Sequence, residues 1–265
     1  MSRHVVFVHG LWLHSDSWGS WAELFAGKGY QAHAPGWPGD APTVDAARKA
    51  PDDVAGHGID DVVAHYTRAI EALDARPVVV GHSFGGLIAQ RLLTEGTAAA
   101  AVAIDAAPIR GVLFLPPSAL RVASVVLRNP ANRKRAVSLT EDQFRFGFGN
   151  AIPADESTEL FDRWAVPSPG RPLFEAAAAN LNPRSPARAD TRREDRGPLL
   201  LIGGGQDHTI PAMVTRATHK LYARSRAVTD IHEFPDRGHS LCIDSRWREV
   251  ADHTLAWLEA QPTTR

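Results

Sequence analysis

A serine stands between two glycines in Val78-Val79-Val80-Gly81-His82-Ser83-Phe84-Gly85-Gly86, where a run of β-branched residues gives way to helix formers. This is the G-x-S-x-G pattern of a sharp strand-to-helix elbow, in which the serine backbone is strained and its hydroxyl exposed above the carboxyl edge of a sheet. The turn leaves almost no room for side chains at Gly81 and Gly85. Free N–H groups and the dipole at the start of the next helix favour developing negative charge, so Ser83 is placed where a nucleophilic oxygen is stabilised. The same residues also read as a plain glycine-rich turn, and partners elsewhere in the chain must separate the two readings.

A serine hydroxyl is a weak nucleophile at neutral pH; it needs an imidazole base and a carboxylate that fixes the imidazole tautomer. The chain supplies both, in the order serine, acid, histidine that this elbow predicts. Asp207 follows the apolar run Leu199 to Ile202 through the flexible turn Gly203-Gly204-Gly205-Gln206, and His239 follows Thr229 to Phe234 through Pro235-Asp236-Arg237-Gly238. Both lie on loops after strands, on the side of the sheet where Ser83 would stand. Asp105, after the run Ala101 to Ile104, competes for the role of the acid. Asp207 is preferred for its turn context and its place before the last strand. His82 is expected to pack beneath the elbow, Asp236 to form a turn or salt bridge near His239, and His208 to be a polar loop residue.

Acyl transfer also needs preorganised donors for the oxygen that becomes negative in the tetrahedral intermediate. One is the backbone N–H of Phe84, the residue after the serine. The other is expected from the loop Val8-His9-Gly10-Leu11-Trp12, where Gly10 allows a sharp turn that faces the Leu11 N–H toward the pocket; Trp12 is the alternative donor.

The elements that must position these groups form an α/β pattern, short apolar runs alternating with amphipathic stretches, which predicts a mostly parallel sheet with right-handed crossovers. Strands are expected at Val5 to Val8, Gln31 to Ala34, Val78 to Val80, Ala101 to Ile104, Leu199 to Ile202 and Thr229 to Phe234, with helices at Ser17 to Lys28, Gly58 to Leu73, Gly86 to Thr94, Ala212 to Leu221 and Trp247 to Gln261. The alternation breaks between residues 111 and 195, where aromatic residues, prolines and helix formers mix. We read residues 1–110 and 196–265 as the core and 111–195 as a helical cap inserted after the fourth strand. Of the aromatic residues available, Trp12, Phe114, Phe144, Phe148 and Trp164 are candidates to line an apolar substrate pocket.

Composition narrows the function. At 265 residues, 44% of them hydrophobic, the chain is long enough for one large core plus an insertion. A net charge of −1 with both signs interspersed suggests neither a nucleic-acid groove nor a funnel for acidic substrates. The single cysteine, Cys242, excludes an internal disulfide, and no Cys/His cluster has zinc-ligand spacing. The amino terminus enters a strand with no room for a signal peptide, and no apolar run reaches membrane-spanning length, so a cytoplasmic location without membrane insertion is expected. Neither metal nor cofactor is expected, and monomer and homodimer are equally compatible with the sequence.

Through His9-Gly10 after the first strand, Gly81-His82-Ser83-Phe84-Gly85, Gly205-Gln206-Asp207 with Ile210-Pro211, and Gly238-His239, the chain resembles the α/β-hydrolase superfamily over nearly its whole length. The resemblance implies the α/β-hydrolase fold without the leading antiparallel hairpin, a triad at Ser83, Asp207 and His239, and an oxyanion hole at Leu11 and Phe84. With Asp16-Ser17-Trp18, it is closest in style to the small esterase and hydroxynitrile-lyase branch or the cofactor-free haloperoxidase-like esterases. An esterase or lactonase acting through an acyl-enzyme is the leading reading. Carbon–carbon bond hydrolysis uses the same triad. Lyase chemistry would call for a lysine after His239, where this chain has Ser240, and epoxide hydrolases and dehalogenases would need aspartate at Ser83. A non-catalytic ligand receptor on the same fold is the alternative of a different class.

Overall fold

The computed structural model describes residues 3–113 and 116–261. Six strands, β1 (Arg3–Val8), β2 (Tyr30–His33), β3 (Val78–His82), β4 (Ala100–Ile104), β7 (Leu199–Gly204) and β8 (Thr229–Phe234), form one sheet in the order β2-β1-β3-β4-β7-β8. Every pairing in it is parallel. Side chains alternate across the sheet, and both faces are buried, which is why the strands read as unbroken apolar runs instead of alternating ones. Val5, Phe7, Val80, Val102 and Ile202 face one layer, where α1 (Gly19–Ala26) and α10 (Trp247–Ala260) add Trp21, Phe25, Val250 and Leu258. Val6, Val8, Val79, Ala101 and Leu201 face the other, against α3 (Ile59–Glu71), α4 (Phe84–Thr94) and α9 (Ala212–Tyr222).

The register aligns the carboxyl ends of the central strands. Val8 lies opposite Gly81, His82 opposite Ile104, and Ile104 opposite Ile202, so the loops that follow β1, β3, β4 and β7 leave from one edge. Between β4 and β7 the chain forms α5 (Pro117–Leu127), α6 (Glu141–Gly147), α7 (Ala154–Trp164) and α8 (Arg171–Ala177), together with an antiparallel ribbon of β5 (Ala136–Val137) and β6 (Ser168–Pro169). A reciprocal cap between Thr140 and Gln143 starts α6.

Boundaries differ from expectation by a residue or two, and one helix was not anticipated. Helix α2 (Val44–Lys49) is only six residues long, too short to display a period; its start is marked by Thr43, whose hydroxyl accepts the Ala46 N–H. Arg48 of this helix donates to the carbonyls of Phe161, Asp162 and Ala165 at 3.0, 2.8 and 2.9 Å. It thereby places a cation at the carbonyl end of α7 and ties that helix to the core. No helix among the described residues is long and apolar enough to cross a membrane.

Candidate active site

Among the described residues, three other than glycine have positive φ: Trp12 at 66°, Ser83 at 56° and Asp105 at 42°. They follow β1, β3 and β4 at the aligned edge of the sheet. Such conformations cost on the order of 1–3 kcal/mol each and persist where the surroundings impose them. At Ser83 the cause is visible. A Cβ on Gly81 would stand 2.0 Å from the Gly85 carbonyl oxygen, and one on Gly85 would stand 2.0 Å from that of Val8, so the elbow closes only with glycine at both places. The Ser83 carbonyl accepts the Gly86 and Ala107 N–H groups at 3.0 and 2.9 Å, holding the turn between α4 and the loop after β4.

The loops after β7 and β8 bring Asp207 and His239 together. Asp207 Oδ2 accepts the His239 Nδ1–H at 2.6 Å, and Asp207 Oδ1 accepts the N–H groups of Thr209 and Ile210 at 2.6 and 2.8 Å. Three donors fix both the carboxylate and, through it, the imidazole. His239 Nε2 is buried and has no hydrogen-bond partner among the described residues. The His239 ring lies 4.5 Å from that of His82, the neighbour of Ser83, and 4.7 Å from that of Phe148. His82 donates through Nε2 to the His239 carbonyl at 2.9 Å. Burial and the nearby His239 hold its pKa well below the usual histidine range, so it is a neutral brace.

Asp105 is close but second. Its Oδ2 is 4.0 Å from His239 Nδ1, whereas its Oδ1 accepts the Gly204 N–H at 2.7 Å. Burial, and then the neighbouring Asp207 charge, raise its pKa well above the usual carboxylate range. His82, Asp105 and His239 each bring one donor atom within 4.8 Å of the others.

The loop carrying His239 is anchored by a buried ion pair that sequence reasoning did not find. Arg237 pairs with Asp244, both almost wholly buried, and Asp244 Oδ2 accepts the Ser240 hydroxyl at 3.0 Å. Asp236, the nearer acid in sequence, instead reaches outward to Arg246 at 2.6 Å. His208 is a loop residue whose Nδ1 lies 3.0 Å from the Phe146 carbonyl oxygen.

The loop after β1 lies directly against the serine. A Cβ on Gly10 would stand 2.6 Å from Ser83 Cβ, so only glycine permits this approach. The two candidate donors in this loop differ: the Trp12 N–H is taken by Ser168 Oγ at 2.6 Å, whereas the Leu11 N–H, like that of Phe84, meets no acceptor among the described residues. Position is imposed on the loop from two sides. Trp12 Nε1 donates to the Val137 carbonyl at 3.0 Å, and the Trp12 carbonyl accepts the Val166 N–H at 3.1 Å. On the other side, His9 Nδ1 lies 2.9 Å from the Gly10 carbonyl oxygen, and His9 Nε2 lies 2.8 Å from Asp40 Oδ2. Asp40 carries no spacing signal relative to His9; the hint in the sequence is the turn Pro38-Gly39-Asp40, where Gly39 has φ 84°.

A cavity of about 210 Å³ opens beside Ser83, lined by Trp12, Phe84 and Ile210 together with residues of α5 and α8. Its walls are apolar and small: Ala119, Val122 and Ala123 from α5, Leu173 and Ala176 from α8, with Leu120 half exposed near the surface. Of the five aromatic candidates for pocket wall, Trp12 lines this cavity. Phe144 and Phe148 do not; they stack on each other at 4.8 Å and fill the core. Trp164 lines a separate cavity with Cys242 and Trp247. Phe114 lies outside the described residues. The physical reason for the difference is size: large flat rings supply most burial when packed in the interior, whereas an open space persists where alanines leave it.

A sequence profile described as the alpha/beta hydrolase family matches residues 5–253. No curated protein is matched by sequence. Among solved structures, a monoacylglycerol lipase of Paleococcus ferrophilus is similar with a TM-score of 0.67 at 22% identity, covering 96% of this chain and 93% of the other. Polyneuridine aldehyde esterase is similar with a TM-score of 0.68 at 17% identity, covering 97% and 99%. An Arabidopsis methylesterase gives 0.67 at 16% identity, covering 97% and 99%. At such identities the likeness is one of fold, and it extends over the whole parallel sheet and its helices. Together with a family profile that spans nearly the whole length, these observations show that the chain belongs to the alpha/beta hydrolase family.

Proposed function

We propose that the protein is a serine hydrolase that cleaves a carboxylic ester or lactone through an acyl-enzyme on Ser83. The observation that carries this reading is the state of His239: its Nδ1 is held by Asp207 at 2.6 Å while its Nε2 has no hydrogen-bond partner among the described residues, and its ring lies against His82 of the strained serine elbow. In this mechanism Nε2 takes the Ser83 proton as the oxygen attacks the carbonyl carbon, and the tetrahedral oxyanion is received by the N–H groups of Leu11 and Phe84. The imidazolium then gives its proton to the departing alcohol. Water, deprotonated by the same nitrogen, attacks the acyl carbon; the proton returns to Ser83 as the acid leaves. Residues 111–195 serve as the cap, with α5 and α8 forming the apolar wall along which the acyl or ring portion lies. The family supports hydrolysis, and the similar lipase and esterases support an ester as the bond.

The test is turnover of a short-chain nitrophenyl ester by wild type and Ser83→Ala. We expect Ser83→Ala to lose turnover with an unchanged thermal unfolding transition; retained turnover would sink the assignment. Labelling by a fluorophosphonate separates the hydrolase from a ligand receptor, which would leave the serine unlabelled.

A further inference from the structure

The imidazole of His239 is held by more than its acid. A hydrogen bond at Nδ1 fixes one corner of the ring, which can still turn about its side-chain bonds, because the torsion next to such a ring is broad. Two further rings remove that freedom. His82 lies 4.5 Å from His239 and Phe148 lies 4.7 Å from it, and the 6.5 Å between those two sets them about a right angle apart around the imidazole. Phe148 meets His239 at an interplanar angle of 75°, the edge-to-face geometry favoured between aromatic rings. His82 belongs to β3 of the core, whereas Phe148 comes from the cap. Phe148 also reaches Trp12 of the loop after β1, with centroids 6.4 Å apart.

Phe148 follows the last residue of α6, and the residues around it are fastened to the loop that carries Asp207. His208 Nδ1 lies 3.0 Å from the Phe146 carbonyl oxygen, the Thr209 hydroxyl donates to the Gly147 carbonyl at 2.8 Å, and Asn150 Nδ2 donates to the Gln206 carbonyl at 2.6 Å. The loop of His239 approaches as closely: a Cβ on Gly238 would stand 3.0 Å from Ala151 Cβ. One short stretch of the cap, residues 146–151, therefore bears on the acid loop and the base loop together, and none of it lines the cavity beside Ser83.

We propose that Phe148 is a positioning residue of this site, a cap ring clamped to the Asp207 loop that fixes the plane of the His239 imidazole and so the direction in which Nε2 points. The inference rests on the reading of Ser83 and His239 given above. Phe148 lies outside the substrate cavity, so its loss acts on the proton transfers that His239 performs and leaves substrate binding nearly unchanged.

The experiment sets Phe148→Ala against Phe144→Ala. Both phenylalanines are fully buried and they stack on each other at 4.8 Å, but the other ring that Phe144 meets is Phe161 of α7, not His239. Each variant should lower the thermal midpoint. Phe148→Ala should lower kcat by roughly 10- to 100-fold with KM within about 3-fold of wild type, as when a reacting group is misplaced, whereas Phe144→Ala should keep kcat within about 3-fold. A second readout needs no substrate: the hydrogen-bonded Nδ1 proton of His239, seen by NMR, should be sharp in wild type and in Phe144→Ala and broadened or lost in Phe148→Ala. Phe148→Leu, which refills most of the space beside the imidazole, should recover part of the lost kcat; where an alanine variant does not fold, Phe148→Leu against Phe144→Leu makes the same comparison. Equal losses of kcat in the paired variants, a loss carried by KM, or an Nδ1 signal unchanged in the Phe148 variant overturns the proposal. Turnover that survives in Ser83→Ala would instead fail the hydrolase reading, and the Nδ1 signal still decides for Phe148.

Discussion

The protein contains two buried aspartate–histidine pairs near one serine, and they are built oppositely. In Asp207–His239 the carboxylate holds one ring nitrogen, and the other has no hydrogen-bond partner among the described residues. In Asp40–His9 both nitrogens are occupied, one at 2.8 Å from the Asp40 carboxylate and the other at 2.9 Å from the Gly10 carbonyl oxygen. The difference assigns different work to the same two residue types. An imidazole with a vacant nitrogen can move a proton, whereas one with both nitrogens engaged can only hold a loop in place. The loop that His9 holds is the one carrying Leu11, so on the proposed mechanism one pair moves the proton and the other steadies the oxyanion site.

Substitutions break this comparison with effects of graded size. His239→Ala should lower kcat by roughly 10⁶-fold, the size seen when the base of a serine triad is removed, and rates from a nitrophenyl ester measure it. Asp244→Ala should act on stability instead: it removes the buried partner of Arg237 and leaves it only the half-exposed Glu249, 3.3 Å away, at a cost of up to about 3–5 kcal/mol read by denaturant unfolding. His9→Gln should cost roughly 10²-fold in kcat with little change in KM, comparable to losing one oxyanion donor. An effect as large as that of His239→Ala would show that the two pairs do not differ as described.

Smaller effects lie in the pH dependence of stability. Burial alone would raise the Asp40 pKa, but the charge and hydrogen bond of His9 and the Trp37 N–H outweigh it, and the value is lowered. The sign follows from linkage: the unfolded chain takes up the proton first, so this stabilisation is present above the ordinary carboxylate pKa and is lost as pH falls through the folded value. Asp40→Asn should therefore resemble wild type in acid and be less stable at neutral pH. Asp105 runs the other way. Its raised pKa means the folded state keeps a proton that the unfolded chain gives up above about 3.8, so wild type loses stability as pH rises from there. Asp105→Asn, which cannot ionise, should gain in thermal midpoint relative to wild type between pH 4 and 8.

The same contrast explains what the sequence made legible. Ser83, Asp207 and His239 could be picked out because each follows an apolar strand through a glycine-bearing turn, and parallel strands send such loops to one edge. Asp105 shares that signal, and only the distances of 2.6 and 4.0 Å to His239 Nδ1 rank the two acids. Asp40 shares no such signal: its partner is distant in sequence and it sits in an irregular turn. The cavity wall was hidden for a different reason. Its residues are alanines and leucines of α5 and α8, ordinary in composition, and what distinguishes Ala123 or Ala176 is the space beside it. Filling that space with Ala123→Phe should lower kcat/KM for an octanoyl ester more than for an acetyl ester, which a pair of nitrophenyl substrates resolves.

Covalent chemistry at the Ser83 oxygen tests the proposed function most directly. Intact-protein mass spectrometry after exposure to a fluorophosphonate should show a single adduct, with peptide mapping placing it on Ser83 and Ser83→Ala and His239→Ala abolishing it. No adduct on the wild-type protein, or one that persists in Ser83→Ala, would contradict the claim that this elbow carries an activated nucleophile.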